Sequence, residues 1–204
     1  MLSGYAVHAI IIPYLSKGII TMPYFAVIDT ETNWADQVMS IGTVIADSET
    51  FRPVAAKYHI LPAFCEIGGM YYDALFLETP VAPICCTRQA AMKELLAWCE
   101  QYAVTAIFAY NARFDKNHLP ELGCLTWHDI MGLAAYRQHN PKIPATAELC
   151  STGRLKRGYG VEPMLRLLSG NPAYRETHNA LQDALDELEI LRLLGHGLHR
   201  YPRL

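Results

Sequence analysis

Apolar residues along the chain form four short runs of strand length, each rich in branched or aromatic side chains. Runs of this length, bounded by polar or turn-forming residues, are typical of buried strands in a sheet. The clearest is YFAVI, which an acidic segment follows at once. The pattern predicts strands over residues 24–29, 38–46, 55–61 and 104–110.

Elsewhere apolar residues recur every three or four positions, which is the period of an amphipathic helix. The strongest case ends at Gly195, a helix-stop residue, and its acids Asp186, Glu187 and Glu189 are predicted to face solvent. Residues 62–87 show no clear period and predict irregular structure. Helices are predicted over residues 87–102, 111–123, 129–138, 160–170 and 179–195.

This order of elements predicts a mixed α/β sheet, although the pattern alone leaves the topology open. The length of 204 residues suits one domain. Residues 1–21 are apolar but lack the basic start and the cleavage site of a signal peptide. Because MPYFAVIDTET looks like a natural start at Met22, we expect residues 1–21 to be an extension or a misassigned start. Residues 22–204 are then the domain.

Composition narrows the class of protein. Hydrophobic residues make up 51% and charged residues 18%, as in ordinary globular proteins. The net charge of −3 means that any nucleic-acid role must depend on a local site and bound cations. The six cysteines include no CxxC pair, which favours reduced thiols in a cytoplasmic protein. No apolar run is long enough to predict a membrane span.

Two acids, Asp29 and Glu31, stand at the end of the first predicted strand. Side chains two apart on a strand point to the same side, so these carboxylates would repel each other unless a cation lay between them. Carboxylate oxygens are the ligands that Mg²⁺ and Mn²⁺ prefer. The alternative is a polar turn after a strand, in which Asp and Thr are common.

Two further segments repeat this arrangement. Asn111 and Asp115 follow the strand predicted at 104–110 and would share one helical face, with Asn111 as a possible N-cap. His178 comes just before the last helix, and Asp183 lies in its first turns. A capping asparagine and solvent-facing acids are the alternatives at each position taken alone.

These residues occur in an order that resembles the DEDDh branch of the DnaQ-like 3′→5′ exonucleases, in the RNase H-like superfamily. The D-x-E-T motif is matched by DTET, the [HY]-N-A-x-F-D motif by YNARFD, and the H-x-A-L-x-D-A motif by HNALQDA. The family often continues DTETTG, where this chain reads DTETNW. The resemblance implies a three-layer α/β fold with a central mixed five-stranded sheet flanked by helices.

The resemblance also implies the chemistry of the site. Two divalent cations, Mg²⁺ or Mn²⁺, would be held by Asp29, Glu31, Asp115 and Asp183, with His178 as the general base. Substrate contacts are expected from motif residues and from the basic run RLKRGYG, in which Tyr159 is a candidate for base stacking. The expected substrate-binding residues are Thr32, Asn111, Arg113, Arg154, Lys156 and Arg157.

The leading functional hypothesis is a metal-dependent 3′→5′ exonuclease that releases nucleoside 5′-monophosphates from single-stranded or frayed DNA. An exoribonuclease similar to RNase T or oligoribonuclease would carry the same catalytic residues. A third possibility is a proofreading subunit that acts with a polymerase partner. The expected partner in the first two cases is a DNA or RNA 3′ end.

Overall fold

A computed structural model describes residues 23–204, so the prediction for residues 1–21 lies outside the described chain. Its centre is a mixed sheet of six strands in the order β4-β3-β2-β1-β5-β6. Strands β1, β2 and β3 are antiparallel neighbours, whereas β5 is parallel to β1, β6 to β5 and β4 to β3. The strands are β1 Tyr24–Thr32, β2 Val38–Asp47, β3 Pro53–Ile60, β4 Ile84–Cys85, β5 Ala106–Ala109 and β6 Thr126–Asp129.

Helices cover both faces of the sheet, which confirms the predicted layered α/β architecture. Alternate residues of β1 enter different cores: Phe25 and Val27 pack with residues of α5 and α6, and Ala26 and Ile28 pack with residues of α2. Burial on both faces explains why β1 is almost continuously apolar. The helices are α1 Pro62–Cys65, α2 Arg88–Gln101, α3 Arg113–His118, α4 Met131–Ala134, α5 Val161–Ser169 and α6 Ala180–Leu194.

Capping residues define the ends of the two longest helices. Thr87 accepts a hydrogen bond from the backbone N–H of Ala90 and so begins α2, as predicted. Helix α6 ends at Gly195, which adopts the left-handed conformation expected of a helix-terminating glycine. Within residues 23–204, no helix combines the length and the apolar character that crossing a membrane requires.

Two predicted helices are wrong in part. The helix predicted over residues 129–138 covers only Met131–Ala134, because Asp129 ends strand β6, which pairs with β5. The buried Trp127 is held in the sheet by this long-range pairing, which local periodicity does not reveal. The helix predicted from residue 111 begins at Arg113 and ends at His118, so Asn111 is not its N-cap.

A glycine brings α6 close to the sheet. Gly42 in β2 pairs with Asp29 of β1. A Cβ placed on Gly42 would lie 2.0 Å from the carbonyl oxygen of Ala180, the first residue of α6. The absent side chain therefore lets the start of α6 lie directly against the strands near Asp29.

Candidate active site

The carboxylates of the first motif lie at the end of β1. The strand continues through Thr32, so Asp29 and Glu31 face the same side of the sheet, as predicted. That side is the one covered by α6, because Phe25 and Val27 precede them with the same alternation. The Oδ2 atom of Asp29 is buried and has no hydrogen-bond partner among residues 23–204.

Asp115 approaches the same edge from α3, on the other face of the sheet. Strands β1 and β5 are parallel, so their carboxyl ends meet, and α3 follows soon after β5. Asp115 is 2% exposed, and its Oδ1 accepts a hydrogen bond of 2.8 Å from the hydroxyl of Thr30. Thr30 lies between the two motif acids, and the sequence offered no signal for this bond.

Asn111 stands in a tight turn between β5 and α3. Its φ of 62° lies in the left-handed region, which asparagine tolerates better than most residues. Its backbone N–H donates to Oδ1 of Asp129 over 3.1 Å, and the same oxygen accepts from the N–H of Met131. Asp129, the acid that precedes α4, therefore holds the turn that leads to Asp115.

The third motif begins at the start of α6. Asn179 is the N-cap: its Oδ1 accepts from two backbone N–H groups, and its Nδ2 donates to the hydroxyl of Tyr58 over 3.1 Å. This anchors the chain between His178 and Asp183. One donor atom from each of Glu31, His178 and Asp183 lies within 4.8 Å of the others, so motifs one and three meet.

His178 is held in an unusual position. Its φ of 54° is in the left-handed region, which is strained for a side-chain-bearing residue. The ring of Tyr71 stacks on its imidazole, with centroids 3.7 Å apart and planes inclined by 14°. Tyr71 comes from the irregular segment 62–87, whose sequence gave no indication of this contact.

Burial and mutual repulsion make the site acids weak. Burial, together with nearby carboxylates, raises the pKa of Glu31 to about 8 and that of Asp183 to about 9. Burial also raises the pKa of Asp115 to about 7, although the hydroxyl of Thr30 opposes this rise. The pKa of Asp29 is raised well above its usual value, by burial first and then by Asp115.

These acids fit a divalent-cation site. Buried carboxylates are normally paired with cations, because an unpaired buried charge is costly. Yet Oδ2 of Asp29 and Oδ1 of Asp183 are buried without hydrogen-bond partners in the described chain. Oxygen donors that converge without an ion pair are a suitable set for Mg²⁺ or Mn²⁺.

The surroundings of His178 favour its neutral form. Burial lowers the pKa of its imidazole below the usual value, although Glu162 opposes this shift. A neutral imidazole can accept a proton, whereas the surrounding carboxylates would be occupied by cations.

Two acids of α6 contradict their predicted solvent exposure. Asp186 is buried, and its carboxylate accepts hydrogen bonds from the hydroxyl of Tyr174 and from Nε2 of Gln182. Glu187 is only 1% exposed. Glu189 lies partly exposed in an ion pair with Arg192, as expected of a surface residue. The buried arc of α6 is wider than its leucine stripe, because the helix packs on both the sheet and α5.

The candidate substrate-binding residues lie on β1, in the turn before α3, on α3 and in the 154–160 loop. Thr32 ends β1 beside a bulge, and Arg113 is exposed at the start of α3. The 154–160 loop is anchored near motif two, since the hydroxyl of Tyr110 donates to the carbonyl of Tyr159. In that loop the Arg154 guanidinium lies 4.7 Å from the centroid of the Tyr159 ring. Lys156 and Arg157 are exposed, and no contact joins them to the acids in residues 23–204.

No protein-family model and no curated protein matches the chain. Several solved exonuclease structures are similar to it in fold. The nuclease domain of 3′hExo, a DEDDh family member bound to rAMP, is 14% identical with a TM-score of 0.59, over 89% of this chain and 96% of that one. A 3′-exonuclease with 3′-end-specific recognition of a histone mRNA stem-loop is 11% identical with a TM-score of 0.59, over 90% and 71%.

A zinc-bound complex of E. coli ExoI with ssDNA is 14% identical, with a TM-score of 0.52, over 88% of this chain but 42% of that one. At these identities the similarity shows the fold alone. The chain therefore shares the fold of these 3′-exonuclease structures, which confirms the predicted α/β fold class. The sixth strand, β4, is a two-residue addition at the edge of the predicted five.

Proposed function

We propose that this protein is a metal-dependent 3′→5′ exonuclease that hydrolyses phosphodiester bonds in single-stranded nucleic acid. The observation that carries this proposal is the convergence of Glu31 and Asp183 with His178 at one sheet edge, beside buried oxygens of Asp29 and Asp183 that have no hydrogen-bond partner in residues 23–204. The fold shared with 3′ exonucleases supports it. The cation ligands in the proposal are Asp29, Glu31, Asp115 and Asp183.

The proposed site residues have separate roles in the reaction. Two bound Mg²⁺ or Mn²⁺ ions would supply charge neutralisation at the phosphate and stabilise the leaving 3′ oxygen. Asp29 and Glu31 stand on a rigid strand and Asp183 on a capped helix, so the donor atoms are fixed before substrate arrives. His178, in its neutral form, accepts the proton of the attacking water. The product is a nucleoside 5′-monophosphate.

Substrate would enter along the exposed side of the same edge. Arg113 and the turn at Asn111 lie next to Asp115 in the chain, and Thr32 follows Glu31 directly. Arg154, Lys156 and Arg157 supply positive charge for the phosphate backbone, while the ring of Tyr159 offers a stacking surface. The overall charge of −3 does not favour binding to nucleic acid, so the proposal depends on this local positive charge.

DNA is the first substrate to test, and RNA is the second candidate. Neighbours of the same fold are described with ssDNA, with rAMP and with an mRNA stem-loop. A role as the proofreading subunit of a polymerase is a third candidate. It predicts that the purified chain needs a partner for activity.

The deciding experiment is digestion of matched DNA and RNA oligonucleotides labelled at either end, with Mg²⁺, Mn²⁺ or EDTA. With 3′-labelled substrate we expect immediate release of labelled mononucleotide, and with 5′-labelled substrate a ladder that shortens with time. Asp29→Asn should lower the rate by at least about 100-fold. Glu189→Gln, a surface change on α6, is the matched control. Full activity of Asp29→Asn, or full activity in EDTA, would refute the proposal.

A further inference from the structure

Glu187 is a buried acid that the proposed ligand set does not use. It lies one turn after Asp183 on α6 and therefore on the same helix face. Its side chain is almost fully buried, and its Oε2 has no hydrogen-bond partner in the described chain. None of the ion pairs within residues 23–204 includes it.

The surroundings of Glu187 are acidic. Burial first, and then the nearby Asp115 and Asp183, raises the pKa of Glu187, and Glu187 contributes in turn to the raised pKa of Asp29. The backbone N–H of Tyr110, at the end of β5, is the hydrogen-bond donor that favours the charge. Val27 of β1 pairs with Phe108 of β5, so Tyr110, two residues further on, is level with Asp29, and the Glu187 carboxylate bonded to Tyr110 lies at the same end of the sheet.

A purely structural role does not explain this arrangement. A buried neutral carboxyl group is normally hydrogen-bonded, both through its proton and through its carbonyl oxygen. Among residues 23–204, Oε2 of Glu187 has no such partner, and neither does Oδ2 of Asp29. A divalent cation between these carboxylates would satisfy both oxygens and remove the repulsion between them.

We propose that Glu187 is a fifth carboxylate of the metal centre, and that its charge helps to hold the cation nearest Asp29 and Asp115. This proposal rests on the proposed function, because it assumes that the motif acids bind divalent cations. Five carboxylates carry more negative charge than two dications carry positive charge. The centre should therefore bind metal before any nucleic acid is present.

Metal binding without substrate is the test. Mn²⁺ is titrated into the metal-free protein by isothermal titration calorimetry, for the wild type, Glu187→Gln and the control Glu189→Gln. We expect Glu187→Gln to weaken at least one Mn²⁺ site by about tenfold or more, and Glu189→Gln to stay within twofold of the wild type. The second readout is the melting temperature in EDTA. Glu187→Gln should have a higher melting temperature than the wild type, because it removes the repulsion between Glu187 and the neighbouring carboxylates.

The outcomes separate the two proposals. Wild-type Mn²⁺ affinity in folded Glu187→Gln would overturn the role of Glu187 and leave the exonuclease proposal standing. Absence of Mn²⁺ binding to the wild type at millimolar concentration would also overturn the role of Glu187, whereas the exonuclease proposal is overturned by full activity in EDTA. If Glu187→Gln does not fold, Glu187→Asp decides: it keeps the charge but withdraws the oxygens by one methylene, so weakened binding supports the role and unchanged binding overturns it.

Discussion

Replacing Gly42 with alanine tests whether the approach of α6 to the sheet organises the site. The new methyl group would lie 2.0 Å from the carbonyl oxygen of Ala180 and 2.3 Å from the backbone nitrogen of Leu181. Both are main-chain atoms, so no side chain can rotate away. The distance is roughly 1.4 Å short of the 3.4 Å at which ordinary contact begins, and the helix start must therefore move.

The size of the effect follows from this overlap. Overpacking a well-packed core costs about 1–3 kcal/mol. For a chain of this size, each kcal/mol lowers the melting temperature by about 2–4 °C, so we expect a fall of about 2–12 °C. His178 and Asp183 move with α6 while Asp29 stays on β1. Because a displacement of about 1 Å in a catalytic group can cost about 100-fold in rate, activity should fall more than stability suggests.

Melting curves and initial exonuclease rates on a labelled oligonucleotide measure the two effects. Glu189→Gln is the control, since Glu189 is a partly exposed residue of α6 whose ion pair is with Arg192 on the same helix. That variant should retain its activity and change little in melting temperature. If Gly42→Ala melts and cleaves like the wild type, α6 does not depend on this close contact, and the reasoning is refuted.

Three further changes test the site. Tyr71→Leu removes the ring stacked on His178 and should lower kcat by about tenfold with little change in KM, while Tyr71→Phe restores it. Thr30→Val removes the only side-chain hydrogen-bond donor to Asp115 within residues 23–204 and should destabilise the protein by about 1–3 kcal/mol in denaturant titrations. Thr43→Val removes a hydroxyl that has no hydrogen-bond partner in the described residues and should not destabilise it. In EDTA, the melting temperature should fall by more than about 5 °C from pH 5 to pH 9, and Mg²⁺ should oppose this fall.

The sign of the pH effect follows from the raised pKa values. Acids with a pKa of about 7 to 9 in the folded protein keep protons that the unfolded chain loses near pH 4. Folding then binds protons, so stability is complete below about pH 4 and declines as pH rises through the folded values. A flat melting profile in EDTA would contradict the clustering of these acids. Equal losses in Thr30→Val and Thr43→Val, or equal rates in Tyr71→Leu and Tyr71→Phe, would contradict the other two predictions.

Apolar runs were sufficient to predict the strands that are buried on both faces. Strands β1 and β2 were both predicted from their first residue; the prediction for β2 ended one residue early and that for β1 three residues early, where the polar DTET segment begins. Strand β6 was missed, since TWHD mixes polar and apolar residues and becomes a strand through pairing with β5. The local sequence does not indicate which distant strand will pair with it.

The candidate site divides in the same way. Its motif acids and His178 could be predicted, because chemistry fixes residue types at short spacings along the chain. Tyr71 and Thr30 act across long sequence separations, and neither belongs to a periodic pattern. Glu187 was predicted to face solvent because a leucine stripe defines only part of the buried surface of α6. The position of Glu187 one helical turn after Asp183 was the sequence feature that could have indicated its place beside the motif acids.

The alternation of side chains along β1 has a consequence for cooperativity. Asp29 and Glu31 belong to the layer formed by α6, whereas Thr30 reaches the opposite layer through Asp115 on α3. If one ion is bound by acids of both layers, neither layer can open locally until that ion is released. Amide hydrogen exchange should therefore slow together in α3 and in the first turns of α6 when Mn²⁺ is added. Exchange in the distant edge strand β4 should stay unchanged.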